Sequence, residues 1–303
     1  MYESHFGFTK KPFSLLPDPS FLYFSDKHRG ALAMLEYGIM EQNGITLITG
    51  EIGAGKTTLI RHLLHRLRNH QMTIGMINNT HESLGGFMGW FALAFDLDCD
   101  GLDNVGTYRK IQEFLVNEYG ASRRVILFID EAQNMTKSQL EEVRLLSNMN
   151  SDEDLLLQIV LIGQPELREK LSSRALVQMA QRVSTEYHLE PLKPVETLKY
   201  IRHRLKTAGG NENIFDPQAM AAIFNYTRGV PRLINTISDQ CLAYAYGKEE
   251  KRVDLRTVSE VAQSKKVGGV NFYALRDEMG VSRSEKASRT TVLRQDQKTK
   301  RTQ

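Results

Sequence analysis

Cysteine is nearly missing from this chain. Its 303 residues hold two, Cys99 and Cys241, far apart and outside any C-x-x-C pair. That spacing argues against a disulfide framework and a structural zinc site, and predicts a reducing compartment with both thiols serving as small apolar fillers. Long apolar runs are missing too: no stretch approaches the roughly 18 residues that a membrane span requires. The start, Met-Tyr-Glu-Ser-His-Phe, has no basic region leading into an apolar one, so no signal peptide is expected and the predicted location is cytoplasmic. Charge of one sign does not dominate. Lys and Arg number 39 against 36 Asp and Glu, a formal +3, and bulk electrostatics therefore do not announce a nucleic-acid binder. With 41% hydrophobic and 25% charged residues, the composition suits one large globular domain plus a smaller one.

What is present is concentrated in two places. Ile45–Thr49 is a β-branched run entering Gly50-Glu-Ile-Gly-Ala-Gly-Lys-Thr, a G-x-x-x-x-G-K-T phosphate-binding loop, and the exit places Leu59, Leu63, Leu64 and Leu67 at helical spacing. By average residue frequencies that motif arises by chance in about one chain in a hundred of this length. Strand, Gly-rich turn and helix start are what triphosphate binding needs: backbone N–H groups bent inward, reinforced by the positive end of a helix dipole. The expected nucleotide-binding residues are Gly50, Glu51, Ile52, Gly53, Ala54, Gly55, Lys56, Thr57 and Thr58.

The second place is Arg124–Ile129, too apolar for a one-sided strand and read as a central parallel strand buried on both faces, ending in Asp130-Glu131. An acidic pair there is the Walker B arrangement, and ligands of open α/β sheets sit beyond the carboxyl ends of the strands. Chemistry then assigns roles. Lys56 should hold the β- and γ-phosphates of ATP, the Thr57 hydroxyl and Asp130 should hold Mg²⁺, with Asp130 acting through water, and Glu131 should orient and deprotonate the attacking water. The plainer alternative makes Asp130 and Glu131 caps of the helix that starts near Thr136.

Periodicity predicts helices over Asp26–Gln42, Thr57–Asn69, Leu84–Asp96, Gly106–Tyr119 and Lys137–Asn148, and a helical stretch to Gln181. Further strands are expected over Thr73–Asn78, Leu155–Gly163 and Ser184–Leu189. Five strands with intervening helices imply a parallel, helix-covered sheet. Pro191 and Pro194 mark a hinge, beyond which only helical patterns occur: Val195–Ala208, Pro217–Tyr226, Pro231–Tyr246 and Leu255–Ser264. The expected domains are an N-terminal segment 1–25, with Pro12, Pro17 and Pro19 discouraging regular structure, an α/β domain 26–192, an all-helical domain 193–268 and a basic, disordered tail 269–303. From Val281 to Gln303 that tail carries seven Lys/Arg against two Asp/Glu; a solubilising role is preferred over nucleic-acid or anionic-membrane binding.

A phosphate-loop α/β domain with a helical lid resembles the AAA+ ATPases, and the resemblance extends to three further residues. Gln164 follows the strand expected between the phosphate-loop and Walker B strands, where the family's first sensor lies. Arg182 occupies the place of the arginine finger that reaches a neighbouring subunit. Arg232, in Gly229-Val-Pro-Arg, matches the second-sensor motif; an arginine's fixed charge and planar fork suit both tasks. More specifically, Met1-Tyr-Glu-Ser-His-Phe-Gly-Phe, Pro17-Asp-Pro, Asp130-Glu-Ala-Gln-Asn, Leu145-Leu-Ser-Asn, Gly163-Gln-Pro-Glu-Leu and Gly229-Val-Pro-Arg-Leu-Ile-Asn, in that order over about residues 1–265, resemble the general secretion pathway protein A group. The resemblance implies that the N-terminal segment packs on the nucleotide site with Pro12 and Phe13 near the adenine. It also implies a homo-oligomer, ring or helical, and a partner protein in a secretion or polysaccharide-export system. Type II secretion members continue into a transmembrane helix and a peptidoglycan-binding domain; with neither here, the short forms of exopolysaccharide and exosortase loci are the nearer analogy, leaving peripheral contact with the inner membrane open.

The competing readings are an ATP-gated DNA-binding regulator similar to the transposition ATPases, using Lys10, Lys11 or the tail, then a small-molecule kinase, then a non-catalytic scaffold. Asn78 or Asn79 is a candidate to restrain Glu131. His62 and His65, three apart on a helix, lack a third ligand and are read as surface histidines, and His188 as structural. Phe87, Phe91 and Phe95 are read as a packing stripe.

Overall fold

The computed structural model describes residues 1–16, 18–67, 71–78, 86–150 and 154–264. In chain order the elements are α1 (Glu3–Phe6), α2 (Asp26–Met40), β1 (Ile45–Gly50), α3 (Lys56–Leu67), β2 (Met72–Ile77), α4 (Phe87–Ala94), α5 (Asn104–Gly120), β3 (Arg124–Ile129), α6 (Lys137–Leu146), β4 (Leu157–Gly163), α7 (Pro165–Leu171), α8 (Val177–Ala180), β5 (Val183–Leu189), α9 (Pro194–Thr207), α10 (Pro217–Thr227), α11 (Pro231–Gly247) and α12 (Leu255–Ser264). Two compact units result: Pro17–Pro191, and Met1–Leu16 with the chain from Leu192 onward.

The first unit is a five-stranded parallel sheet of order β2-β3-β4-β1-β5. β3 shows why its sequence is apolar without alternation: alternate residues face two different cores. Val125, Leu127 and Ile129 pack with Phe87 and Phe91 of α4, Ile111 and Leu115 of α5, and Leu140 and Val143 of α6. Ile126 and Phe128 pack on the opposite face with Leu35 and Ile39 of α2 and Leu59, Ile60 and Leu63 of α3. Water is thereby excluded from both sides of the strand that carries the acidic pair. The phenylalanine stripe is packing: the Phe91 and Phe95 rings lie 4.7 Å apart, and Phe95 lies 5.1 Å from Phe114 of α5.

Boundaries shift where side chains cap. α5 starts two residues earlier than periodicity suggests because the Asp103 carboxylate accepts the Gly106 N–H at 2.7 Å. α6 opens on a capping box, Thr136 accepting from Gln139 N and Gln139 accepting from Thr136 N. The helical stretch expected to run to Gln181 is broken: α7, a single-turn 3₁₀ segment at Arg174–Leu176, then α8. The helix starts expected at Leu84 and ends expected at Asn69 fall outside the described residues, as do Pro17, Asn79 and the tail.

The second unit is helical, with Ile201, Leu205, Ile223, Ile234, Ile237, Leu242, Val258 and Val261 fully buried. Cys241 sits among them, and burial pushes its thiol up to about 12, as an inert apolar filler requires. Residues 1–16 join this unit rather than forming one segment with 18–25. Thr9 N donates to Ala208 O at 2.8 Å, the Arg204 guanidinium donates to the carbonyls of Pro12 and Ser14, and Phe13, 1% exposed, lies edge-on to Phe215. The aromatic side chains of the segment supply the reason, since Tyr2, Phe6, Phe8 and Phe13 are all buried.

Gly229 closes the unit. Its φ is +78°, and a Cβ there would lie 1.9 Å from the Leu192 carbonyl oxygen, while its own carbonyl accepts the Leu192 N–H at 2.9 Å. Neither a left-handed side chain nor that backbone contact can be relieved by a rotamer change. Gly229→Ala is therefore expected to destabilise the helical unit by about 2 kcal/mol or more, read as an early calorimetric transition.

Candidate active site

The β1–α3 loop is built from glycines that turn the chain where no other residue fits. Gly53 and Gly55 have φ of +81° and +102°, which aims successive peptide N–H groups at one point. Lys56 enters the first turn of α3 with its ammonium folded back to donate to Gly50 O at 2.7 Å and Glu51 O at 3.0 Å. It is 7% exposed, and burial lowers its pKa, with Glu131 and Asp130 pulling the other way. Of the remaining loop residues Ala54 is buried, Ile52 is exposed, and Thr58 follows Thr57 in the first turn of α3.

β4 lies between β1 and β3, so the carboxyl ends of all three strands meet at the loop. Thr57 Oγ1 donates to Asp130 Oδ2 at 3.1 Å, and Asp130 Oδ1 accepts the Glu131 N–H at 2.9 Å. Asp130 is also 7% exposed, and its pKa is raised chiefly by burial, against those two hydrogen bonds. A hydroxyl and a carboxylate facing each other are hard oxygen donors of the kind a magnesium ion takes alongside several waters. Among the described residues no group of three or more His, Cys, Asp and Glu is placed to hold a metal ion. The His62 ring packs edge-on to Phe24 instead.

Glu131 adopts a left-handed conformation, φ +54°. For a non-glycine residue this costs on the order of 1 kcal/mol, and such outliers gather at functional sites. The strain turns its carboxylate towards two amides: Gln133 Nε2 donates to Glu131 Oε2 at 2.5 Å and Gln164 Nε2 at 3.1 Å. Gln133 Oε1 in turn accepts the Gln164 N–H at 3.1 Å. Lys170 of α7 donates to the carbonyls of Gln133 and Met135, fixing the turn that carries them. Gln133 and Lys170 went unnoticed in sequence reading. Gln133 stands two residues after Glu131, and only the sheet order brings it against Gln164. Asn78 is exposed at the end of β2.

The arginines lie elsewhere. Arg182 is exposed and immediately precedes β5, whose residue Val183 pairs with Ile45 while Leu189 pairs with Gly50. At about 3.3 Å per residue, it stands roughly 20 Å from the phosphate loop of its own chain, at the opposite edge of the sheet. Arg232 is the second residue of α11 in the helical unit, and its side chain is exposed.

This fold and site define an AAA-type P-loop protein. Residues 39–171 match a family model described as an AAA domain. Two solved structures share the fold over 84% of this chain: Cdc6p from Pyrobaculum aerophilum, TM-score 0.64 at 16% identity over 70% of that chain, and the Aeropyrum pernix ORC2 protein in ADPNP and ADP complexes, TM-score 0.60 at 13% identity over 71%. More particularly, the chain is a homologue of general secretion pathway protein A of Aeromonas hydrophila, 39% identical over 256 residues. Those residues are 84% of this chain and 46% of that protein, so the chain spans less than half the length of its relative. Among the described residues, no helix is long and apolar enough to cross a membrane.

The buried carboxylate gives a test of the site's charge balance. A folded pKa raised above the unfolded value means stability that is full at low pH and lost as pH rises through the folded pKa. Asp130→Asn is therefore expected to match the wild type in thermal stability near pH 4 and to exceed it by about 2–4 °C at neutral pH, measured by calorimetry without nucleotide.

Proposed function

We propose that this chain binds ATP with Mg²⁺ and hydrolyses it at interfaces between copies, and that the nucleotide state switches a bacterial secretion or exopolysaccharide-type assembly at the cytoplasmic face of the inner membrane. The observation that carries this reading is the pairing of a poised Glu131 with an Arg182 that lies roughly 20 Å from its own loop. Lys56 and the N–H groups of Gly50–Thr58 bind the β- and γ-phosphates. Thr57 directly and Asp130 through water would hold the magnesium ion, which would neutralise developing phosphate charge. Glu131 accepts a proton from the attacking water as its oxygen bonds to the γ-phosphorus and the bond to the β-phosphate oxygen breaks, giving ADP and phosphate. Gln164 positions that water or the γ-phosphate once Glu131 is released from the amides. Arg182 of one copy stabilises the transition state in the next, and Arg232 reports the nucleotide to the helical unit. Pro12 and Phe13 border the adenine, with the Phe13 ring acting from within the helical core rather than as a stacking face. The homology to general secretion pathway protein A supports a secretion-type partner.

Steady-state ATP hydrolysis against protein concentration tests the reading. Specific activity should rise with concentration. Arg182→Ala should lower it by about a thousand-fold, and Glu131→Gln should abolish turnover while leaving ATP bound. Activity independent of concentration and of Arg182 would rule out an interface site. Strong stimulation by double-stranded DNA, lost steeply with salt, would favour instead an ATP-gated DNA-binding regulator. Gln133→Ala separates the amides: with the Gln133 donor removed from Glu131, the resting rate is expected to rise several-fold, and a fall would make Gln133 a support of the active geometry instead.

A further inference from the structure

His28 lies in the first turn of α2, outside every nucleotide-binding motif, yet it touches the phosphate loop. Its ring is 4% exposed, and Ser25, which caps α2, is 2% exposed. Ser25 Oγ accepts the backbone N–H of His28 at 3.2 Å and lies 2.7 Å from His28 Nδ1. The carbonyl oxygen that faces Nε2 can only accept, so the ring proton is assigned to Nε2 and Nδ1 accepts the serine hydroxyl. Nε2 is 3.2 Å from the carbonyl oxygen of Ala54, inside the phosphate loop. The next residue, Gly55, has φ +102°, and a Cβ there would come to 3.0 Å from the same Nε2. The imidazole is thus both a donor to the loop and the wall against which the loop turns.

A trans peptide carries its C=O and N–H on opposite sides. Anchoring the Ala54 carbonyl on His28 therefore aims the Gly55 N–H away from α2. We infer that His28 is a positioning residue of the nucleotide site: it locks the Ala54–Gly55 peptide so that the Gly55 N–H is presented to the phosphates before nucleotide arrives. Without that anchor the peptide is free to flip, and a loop that must be ordered on binding gives up affinity. The inference rests on the nucleotide-binding reading of the loop, and goes beyond it in placing a determinant of affinity on the preceding helix.

Two amide variants of the full chain separate the ring's two contacts. Asparagine places its amide where Nδ1 lies, keeping Ser25 but stopping short of Ala54; glutamine reaches the place of Nε2. By calorimetric titration with ADP and Mg²⁺, His28→Asn is expected to bind about tenfold more weakly than the wild type, with His28→Gln within about threefold of it. The melting temperatures without nucleotide should differ little between the two variants. Asparagine binding within twofold of the wild type would overturn the inference, as would glutamine failing to restore what asparagine loses. Lys56→Ala keeps the two levels apart. If the wild type binds no better than Lys56→Ala, the nucleotide reading itself fails and takes the His28 role with it; if Lys56→Ala alone loses binding, only the His28 role is refuted.

Discussion

Lys56 and Asp130 stand almost out of water at the carboxyl edge of the sheet, each carrying a charge that its surroundings disfavour. Burying an ion costs several kcal/mol unless partners replace the lost water. Here the partners are few and local: two loop carbonyls for the ammonium, one hydroxyl and one backbone N–H for the carboxylate. Much of the architecture around that edge serves this arrangement. Helices on both faces of β3 keep water from the acidic pair, and the order β3-β4-β1 brings the pair to the loop. A ligand carrying both an anionic group and a cation would supply the missing counter-charges to both groups at once. Desolvation in the resting protein thus favours a ligand carrying both signs over a simple anion or cation.

Strain follows the same logic of localisation. Left-handed non-glycine residues are uncommon, and Glu131 is one of them, at the turn where the Walker B strand ends. Holding that conformation costs on the order of 1 kcal/mol, which two hydrogen bonds to a charged acceptor offset. The turn is in turn pinned by Lys170, so the conformation of one glutamate depends on α7 as well as on β3 and β4.

The fold was legible because burial and periodicity agree. β3 reads as apolar on both faces and is; β4 is placed between β1 and β3 by motif order and lies there. The turn of the β1–α3 loop is fixed by local backbone chemistry at Gly53 and Gly55, so its spacing in the sequence suffices to find it. Gln133, Lys170 and His28 were not legible for the opposite reason. Each acts through a contact made by tertiary packing: Gln133 through Gln164 just past the neighbouring strand, Lys170 through a turn 37 residues earlier, His28 through a loop 26 residues away. Their residue types are those of ordinary surface or core positions, and only register and helix packing turn them inward. The first sixteen residues illustrate the same limit. Their prolines argue against regular structure, but nothing in their pattern states that four aromatic rings anchor them to the helical unit.

Strand polarity places one constraint that local rearrangement cannot lift. β1 and β5 are parallel neighbours, so the residue before β5 and the loop after β1 are held at opposite ends of a ladder from Ile45–Val183 to Gly50–Leu189, broken only by a register shift after Ile45. To bring Arg182 to its own loop the chain would have to dissolve that ladder, whereas a second copy presents the arginine with both sheets intact. A chain with the phosphate loop at one end of these strands and Arg182 exposed at the other is suited to head-to-tail repetition. In such an assembly each copy would offer Arg182 to one neighbour and its loop to the next, a relation that closes as a ring or continues as a helix according to the rotation between copies.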